Sequence, residues 1–131
     1  MSVLIVEDEP SWQKIISYSL KHNSLGLNIH ARFVRSAEDA LQELYTKRHF
    51  DLILSDYFIQ GKIQGLSLWR ICKQKYPQIP FIIISGASVS QLRSVDKDAQ
   101  VWPTFIKKPY SPKTLDSVIQ IYVNLFDKVA A

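Results

Sequence analysis

The chain is poor in cysteine and has no long hydrophobic run. Its one cysteine, Cys72, cannot form an intramolecular disulfide, and between Ile71 and Lys73 we expect it to be a buried, inert thiol on a helix. No Cys or His residues have the spacing of a zinc site. The longest purely aliphatic or aromatic runs are about four residues, which predicts neither a secretory signal nor a membrane-spanning helix. The expected location is therefore cytoplasmic.

Length and charge fit one ordinary domain. With 131 residues, 47% of them hydrophobic, the chain can bury a single core, so we expect residues 1–131 to form one domain without an output domain. The formal net charge of +4 would suit nucleic acid, an anionic membrane or an acidic partner. The basic residues are nevertheless scattered along the chain, and no helix-turn-helix extension follows the predicted elements. Direct binding to nucleic acid or to a membrane is therefore not expected.

Five strand-like segments alternate with helix-like segments, which predicts a parallel sheet covered by helices on both faces. The strands are predicted approximately at residues 2–7, 28–34, 51–56, 79–85 and 104–107. The helices are predicted to begin near Pro10, after Ser36 as N-cap, just after Gly65, near Val89 for a weak helix that reaches Ala99, and at Pro112 after Ser111 as N-cap.

Three acidic residues stand at the ends of two apolar runs that are far apart in the sequence. Glu7 and Asp8 follow residues 3–6, and Asp56 follows residues 52–55. If both runs are buried parallel strands, their carboxyl ends lie side by side, where open α/β folds bind their ligands. Like charges this close raise one another's pKa unless a cation lies among them. The cluster therefore calls for a metal, a lysine or both.

Over essentially its whole length the chain resembles the receiver domain of two-component response regulators, in particular the chemotaxis-regulator type. The matching residues are Glu7 and Asp8 after the first strand, Asp56 after the third, Ser85 after the fourth and Lys108-Pro109 after the fifth. Each is weak evidence alone, but together, in order and at strand ends, they are a strong signal. The resemblance implies a (βα)5 fold, which is a doubly wound, flavodoxin-like α/β fold with five parallel strands in the order 2-1-3-4-5.

The resemblance also implies a role for each acidic residue. Asp56 is the expected phospho-acceptor, and Asp8 with Asp56 is expected to provide the carboxylate ligands of Mg²⁺ or Mn²⁺. Glu7 would act on the metal through water, and the backbone carbonyl of Phe58 is a further expected ligand. A carboxylate can accept a phosphoryl group and form an acyl phosphate when a cation neutralises the gathering negative charge.

Lys108 and Ser85 are expected to contact the phosphoryl group. Lys108 would do so as a compact point charge, whereas Lys107 should point to the other face of the strand. In the family the hydroxyl at the position of Ser85 moves toward the phosphoryl group, and an aromatic side chain, here Phe105, turns inward behind it. An ordinary core or edge-strand Phe is an equal alternative for Phe105. The Lys108-Pro109 peptide bond is cis in the family.

One segment departs from the family pattern. Receivers usually continue after the acceptor with Met-Pro and reach a glycine at the eighth position, whereas here the proline is missing and Gly65 comes one residue late. The loop should therefore be more flexible than a proline-fixed turn. Phe58 and Ala87 also stand where family side chains influence attack of water on the acyl phosphate. Neither can polarise water, so we expect a long-lived phosphorylated state.

The expected function is that of a receiver that takes a phosphoryl group on Asp56 from a histidine kinase or phosphotransfer protein. It would then present a changed surface to a downstream protein partner or output domain. We do not expect the protein to be an enzyme in the ordinary sense, since a phospho-accepting domain catalyses at most its own phosphorylation and dephosphorylation. Two alternatives stay open. One is a degenerate receiver that binds a partner without phosphate. The other is a small phosphatase that uses Asp56 as its nucleophile, and it is the weaker alternative because Phe58 stands where such phosphatases have a second Asp.

Overall fold

The computed structural model describes residues 1–46, 49–86, 103–108, 111 and 113–121. Within these ranges, strands and helices alternate as predicted up to the fourth strand. The strands are β1 (Ser2–Val6), β2 (His30–Val34), β3 (Leu52–Asp56), β4 (Phe81–Ser85) and β5 (Thr104–Lys107). The helices are α1 (Pro10–Lys21), α2 (Ala37–Tyr45), α3 (Gly65–Lys75) and a C-terminal helix at residues 113–121.

The five strands form one parallel sheet in the order β2-β1-β3-β4-β5. This order confirms the predicted doubly wound, flavodoxin-like fold. In the register of the sheet, Val6 pairs with Ser55, and Ser85 pairs with Lys107. The residues that follow β1 and β5 and those that end β3 and β4 therefore meet at one edge of the sheet.

Alternate strand residues pack on opposite faces of the sheet, because side chains alternate along a strand. One hydrophobic cluster lies under α1 and the C-terminal helix and contains, from these helices, Ile16, Leu20, Leu115 and Ile119. The other lies under α2 and α3 and contains, from these helices, Ala37, Ala40, Leu44, Leu66, Leu68, Trp69 and Cys72. The inner strands β1, β3 and β4 are thus covered on both faces, which explains their near-continuous apolar sequences.

The ends of the first three helices follow local signals in the sequence. Pro10 lies in the first turn of α1, where its missing N–H leaves no bond unmade. The Ser36 hydroxyl accepts a hydrogen bond from the backbone N–H of Asp39 at 3.1 Å, which confirms the predicted N-cap of α2. Cys72 is buried on α3 as predicted, and burial raises the pKa of its thiol to about 12.

Several predicted features lie outside the described residues. They are the weak helix from Val89 to Ala99, the start of the last helix at Pro112, the side chain of Ala87 and the Lys108-Pro109 peptide bond. Within the described ranges, no helix has the length and apolar character needed to cross a membrane.

Candidate functional site

β1 and β3 bring three carboxylates together at the carboxyl edge of the sheet. Glu7 directly follows β1, and its backbone N–H donates to the carbonyl of Val34 at 2.9 Å. Asp8 comes next, and Asp56 is the last residue of β3. One carboxylate oxygen from each of the three acids lies within 4.8 Å of the other two. Glu7 is buried, and the other two are partly exposed, so the predicted juxtaposition is confirmed.

Lys108 joins two of these carboxylates. Its Nζ donates to Glu7 Oε1 at 2.9 Å and to Asp56 Oδ2 at 3.0 Å, and its side chain is only 12% exposed. The backbone N–H of Lys108 donates to the carbonyl of Ser85 at 2.7 Å, which fixes the end of β5 against the end of β4. The neighbouring Lys107 is exposed. Only one of the two lysines therefore contacts the acidic cluster.

The electrostatics of the cluster favour a further cation. Burial raises the pKa of Glu7 to about 7; the hydrogen bond from Lys108 opposes this rise, and the charge of Asp56 adds to it. Burial by itself would lower the pKa of Lys108, but its hydrogen bonds to Glu7 and Asp56 outweigh burial and raise it. Lys108 is therefore charged, and one positive charge faces three acidic groups.

The donor set fits a hard divalent cation. Glu7 Oε2 is buried and has no hydrogen-bond partner among the described residues, although burying such an oxygen without a partner is costly. All three acids offer oxygen ligands, which Mg²⁺ and Mn²⁺ prefer over nitrogen or sulfur. A cation of this kind at Glu7, Asp8 and Asp56 would balance the excess negative charge.

Two further predicted site residues lie on β4 and β5. Ser85 ends β4 and is buried at the same edge of the sheet as the acids, since β4 pairs with β3 from Phe81 to Ile84. Phe105 lies in β5, is partly buried, and packs against the cluster under α2 and α3. The packing of Phe105 is what an ordinary strand Phe and a switch residue both require.

A comparison with protein families decides what this arrangement is. Residues 3–120 match the family described as the response regulator receiver domain. The chain belongs to this family. Receiver domains are signalling modules of two-component systems and interact with histidine kinases. The family is not a classical enzyme family.

The relatives of this receiver include longer regulators. The nitrogen assimilation regulatory protein NtrX of Azorhizobium caulinodans is 31% identical over 116 residues, which are 86% of this chain and 24% of NtrX. A putative response regulator, NtrX-like, of Rickettsia felis is 31% identical over 87 residues, which are 66% of this chain and 17% of that protein. The chain thus spans a quarter or less of the length of these curated relatives.

Solved structures share the receiver fold at lower identity. A response regulator receiver domain protein from Clostridium thermocellum superposes with a TM-score of 0.79 at 17% identity, over 98% of both chains. The chemotaxis response regulator CheY4 of Vibrio cholerae has a TM-score of 0.73 at 21% identity, over 92% of this chain and 97% of CheY4. These likenesses support the fold assignment.

The ring of Trp12 lies over Lys108, a contact that the sequence does not predict. Trp12, in the first turns of α1, lies with its ring centroid 4.5 Å from Lys108 Nζ. In the sequence Trp12 has helical spacing with Ile16 and Leu20, which indicates an apolar helix face and no more. The available signal was its position four residues after Asp8, because α1 begins at the edge of the sheet where the site lies.

The loop between β3 and α3, residues 57–64, is where this receiver departs from the family pattern. The backbone N–H of Tyr57 donates to the carbonyl of Ile84 at 2.8 Å, and the Tyr57 carbonyl accepts from Gly65 at 3.0 Å. Phe58 follows with a side chain that is 65% exposed and packs edge-on against the Tyr57 ring, with centroids 4.8 Å apart. Both ends of the loop are therefore attached to the sheet edge beside Asp56.

Two side chains take the place of the missing proline in organising this loop. The Gln64 amide accepts from the N–H of Ile59 at 3.1 Å and donates to the carbonyls of Ile59 and Gly61 at 3.0 and 3.2 Å. Glu38 on α2 accepts from the backbone N–H of Ile63. Backbone hydrogen bonds, including the one from Ile63, lower the pKa of Glu38, so it accepts as a carboxylate. The expected flexibility of the loop stays a prediction.

Proposed function

We propose that this receiver accepts a phosphoryl group on Asp56 and thereby switches a protein-binding surface, with residues 1–131 acting as one receiver domain. The observation that carries the proposal is the position of Asp56, which is bound to Lys108 and lies within a cluster of three carboxylates at the edge of the sheet. The proposed donor is a histidine kinase or a phosphotransfer protein, whose phosphohistidine would present the group to this edge.

The residues of the site divide the work of transfer. A carboxylate oxygen of Asp56 forms the bond to phosphorus, the phosphorus–nitrogen bond of the donor breaks, and the imidazole nitrogen keeps the electron pair. Lys108 is placed to donate to a phosphoryl oxygen, because its Nζ already contacts Asp56. We assign the Ser85 hydroxyl a second hydrogen bond to the same group, since Ser85 is buried at the same edge.

A divalent cation completes the proposed site. Asp8 and Asp56 would hold Mg²⁺ or Mn²⁺ directly with the backbone carbonyl of Phe58, and Glu7 would act through water. When bound, the cation supplies the positive charge that lets a carboxylate and a phosphoryl group approach each other. Lys108 by itself can offset only one negative charge of the three-acid cluster, so a cation is needed for the rest.

Phosphorylation would be read out through Ser85 and Phe105. Both residues lie on the β4–β5 side of the sheet, so a new hydrogen bond to Ser85 can be coupled to a change in the packing of Phe105 and in the surface along β5. A shift from 1:99 to 99:1 between two conformations requires about 5.5 kcal/mol, which several charge-assisted hydrogen bonds can supply. The recipient would be a downstream protein partner or an output domain.

We further propose that the phosphorylated state is long-lived. Phe58 follows Asp56 by two residues and is largely exposed, but its side chain has no group that can orient or deprotonate a water molecule. Ala87, the second residue on which this proposal depends, lies outside the described residues. After removal of the donor, a half-life of only seconds for the added phosphoryl mass would contradict slow hydrolysis.

Incubation with acetyl phosphate and Mg²⁺, followed by intact mass measurement, tests the proposed function. The parent protein should gain the mass of one phosphoryl group, and a chelator should prevent the gain. Asp56→Asn should abolish it, whereas Asp39→Asn, which alters an exposed acid on α2, should not. No gain by the parent would instead favour a receiver that binds its partner without phosphate, and an equal gain by Asp56→Asn would mean that another residue is the acceptor.

A further inference from the structure

The ammonium group of Lys108 has two kinds of neighbour. On one side it donates to the carboxylates of Glu7 and Asp56, at 2.9 and 3.0 Å. It also lies over the Trp12 ring, 4.5 Å from the ring centroid, which is within the range of a cation–π interaction. The two carboxylates come from the ends of β1 and β3, and the ring comes from α1. Three separate elements therefore hold one cation.

We infer that Trp12 is a positioning residue for Lys108, and that its indole face holds the ammonium beside Asp56 and thereby speeds phosphoryl transfer. The effect on rate rests on the proposed function, but the contact between Trp12 and Lys108 does not. In this assignment Trp12 forms no bond to the phosphoryl group itself. It acts through the lysine.

Two physical effects make the ring useful at this position. A lysine side chain has several rotatable bonds and loses considerable entropy when it is fixed, so a surface that prefers one position of the ammonium lowers that loss at the moment of transfer. An indole face also shields the ammonium from water without taking the place of a carboxylate as its hydrogen-bond acceptor. The reduced access of water strengthens the hydrogen bonds from Lys108 to Glu7 and Asp56. An aliphatic side chain would supply cover but no attraction.

Core packing does not account for Trp12 in the described part of the chain. Ile16 and Leu20, which follow it at helical spacing, are buried in the cluster under α1, with exposures of 1% and 3%. Trp12 is only partly buried and is in neither hydrophobic cluster. The apolar face of α1 therefore continues past the core to the edge of the sheet, where its first member meets the lysine of the site.

A double-mutant cycle on folding tests the contact without any phosphoryl donor. Urea unfolding in the presence of a chelator would be measured for the parent, Trp12→Leu, Lys108→Met and the double variant. If the ring holds the ammonium, Trp12→Leu should lower the folding equilibrium constant about 2- to 30-fold more in the parent than in the Lys108→Met background. Equal losses in both backgrounds would overturn the inference.

The effect on transfer is tested by the rate of acetyl phosphate labelling with saturating Mg²⁺. Trp12→Leu should lower the maximal rate about threefold or more, and Trp12→Phe, which keeps an aromatic face, should restore part of it. A merely structural role would give losses that follow stability. Trp12→Phe and Trp12→Leu at the parent rate, or with equal losses, would contradict the assignment.

Two matched controls accompany this measurement. Tyr18→Leu removes an exposed aromatic ring from the same helix, and Lys73→Met removes a cation that lies 5.2 Å from the ring centroid of Trp69 on α3. Both should label at the parent rate, and a loss equal to that of Trp12→Leu would count against the inference. If the parent takes up no phosphoryl group, the proposed function fails, and the folding cycle still decides whether Trp12 holds Lys108.

Discussion

The Glu38 carboxylate accepts a hydrogen bond from the backbone N–H of Ile63, 25 residues further along the chain, at 3.3 Å. This bond attaches the loop after Asp56 to the first turn of α2. A parallel bridge between Ser36 and Gln60 lies beside it. The loop that would supply the Phe58 carbonyl to a metal is thus attached to a helix that carries none of the named site residues.

Removal of the Glu38 side chain should loosen this loop. We expect faster hydrogen exchange at the Ile63 amide in Glu38→Ala, and weaker Mg²⁺ binding if the Phe58 carbonyl is a ligand. Glu38→Gln, which keeps an acceptor oxygen without the charge, should be intermediate. Asp39→Ala changes the neighbouring exposed acid of the same turn and serves as the control. Identical exchange at Ile63 in Glu38→Ala and Asp39→Ala would refute the role of this bond.

The buried Glu7 should make the metal-free protein less stable as the pH rises. Its pKa is about 7 in the folded protein against an ordinary value of 4.5, so the folded state binds more protons between these values and its stability falls with pH. Relative to Glu7→Gln, the parent should therefore lose roughly 2–3 kcal/mol between pH 4.5 and a pH above 7. Urea unfolding in the presence of a chelator measures the difference.

The exposed Glu9 offers the control for this pH experiment. Glu9→Gln also removes one carboxylate next to the site, but this carboxylate is exposed in the folded protein, where water screens its charge. Its stability relative to the parent should stay level across the same pH range. A level difference for Glu7→Gln as well would show that the folded protein ionises Glu7 without difficulty. Mg²⁺ added above pH 7 should stabilise the parent more than Glu7→Gln.

Gly65 should tolerate no side chain. A Cβ at this position would lie 2.9 Å from Tyr57 Cα and 3.0 Å from the Tyr57 carbonyl oxygen, and it would also meet the carbonyl oxygen of Asp56. These are backbone atoms that cannot rotate away, so Gly65→Ala should lower the free energy of unfolding by about 1–3 kcal/mol. At Gly86 a Cβ would meet no atom of the described residues within 4 Å. Gly86→Ala should therefore unfold at nearly the parent concentration of urea.

Cys72 should react with thiol reagents only when the protein unfolds. The thiol is 1% exposed, and burial raises its pKa to about 12, so the reactive thiolate is scarce in the folded state. Labelling by iodoacetamide should follow the urea unfolding curve. In a Cys72→Ala background, Gln74→Cys places a thiol at an exposed position of the same helix and should label rapidly without urea. Equally rapid labelling of native Cys72 would mean that α3 opens locally.

The sheet and the acidic cluster could be predicted because both depend on short, regular patterns. Each inner strand is a run of apolar residues buried on both faces, and parallel pairing brings the ends of such runs together. Glu7, Asp8 and Asp56 therefore meet regardless of how the intervening residues run. Lys108 follows the same rule, since it is the first residue after β5.

The contacts made by Trp12 and Glu38 could not be predicted in this way. The position of Trp12 over Lys108 depends on the angle at which α1 leaves the sheet and on two side-chain rotamers, and neither leaves a periodic signal. The bond from Ile63 to Glu38 depends on the path of a loop that has no repeating pattern and no proline. Nothing in the sequence distinguishes Gln64 from other polar loop residues, although its side chain makes three hydrogen bonds within the loop.

The backbone hydrogen bond from Lys108 to Ser85 has a mechanical consequence. β5 is an edge strand of the sheet, and this bond continues its pairing with β4 right up to the residue that carries the charge. A newly bound anion that attracts the ammonium of Lys108 therefore also exerts a force on β5. By thermodynamic reciprocity, a partner that binds one position of β5 more tightly must also favour the matching position of the ammonium.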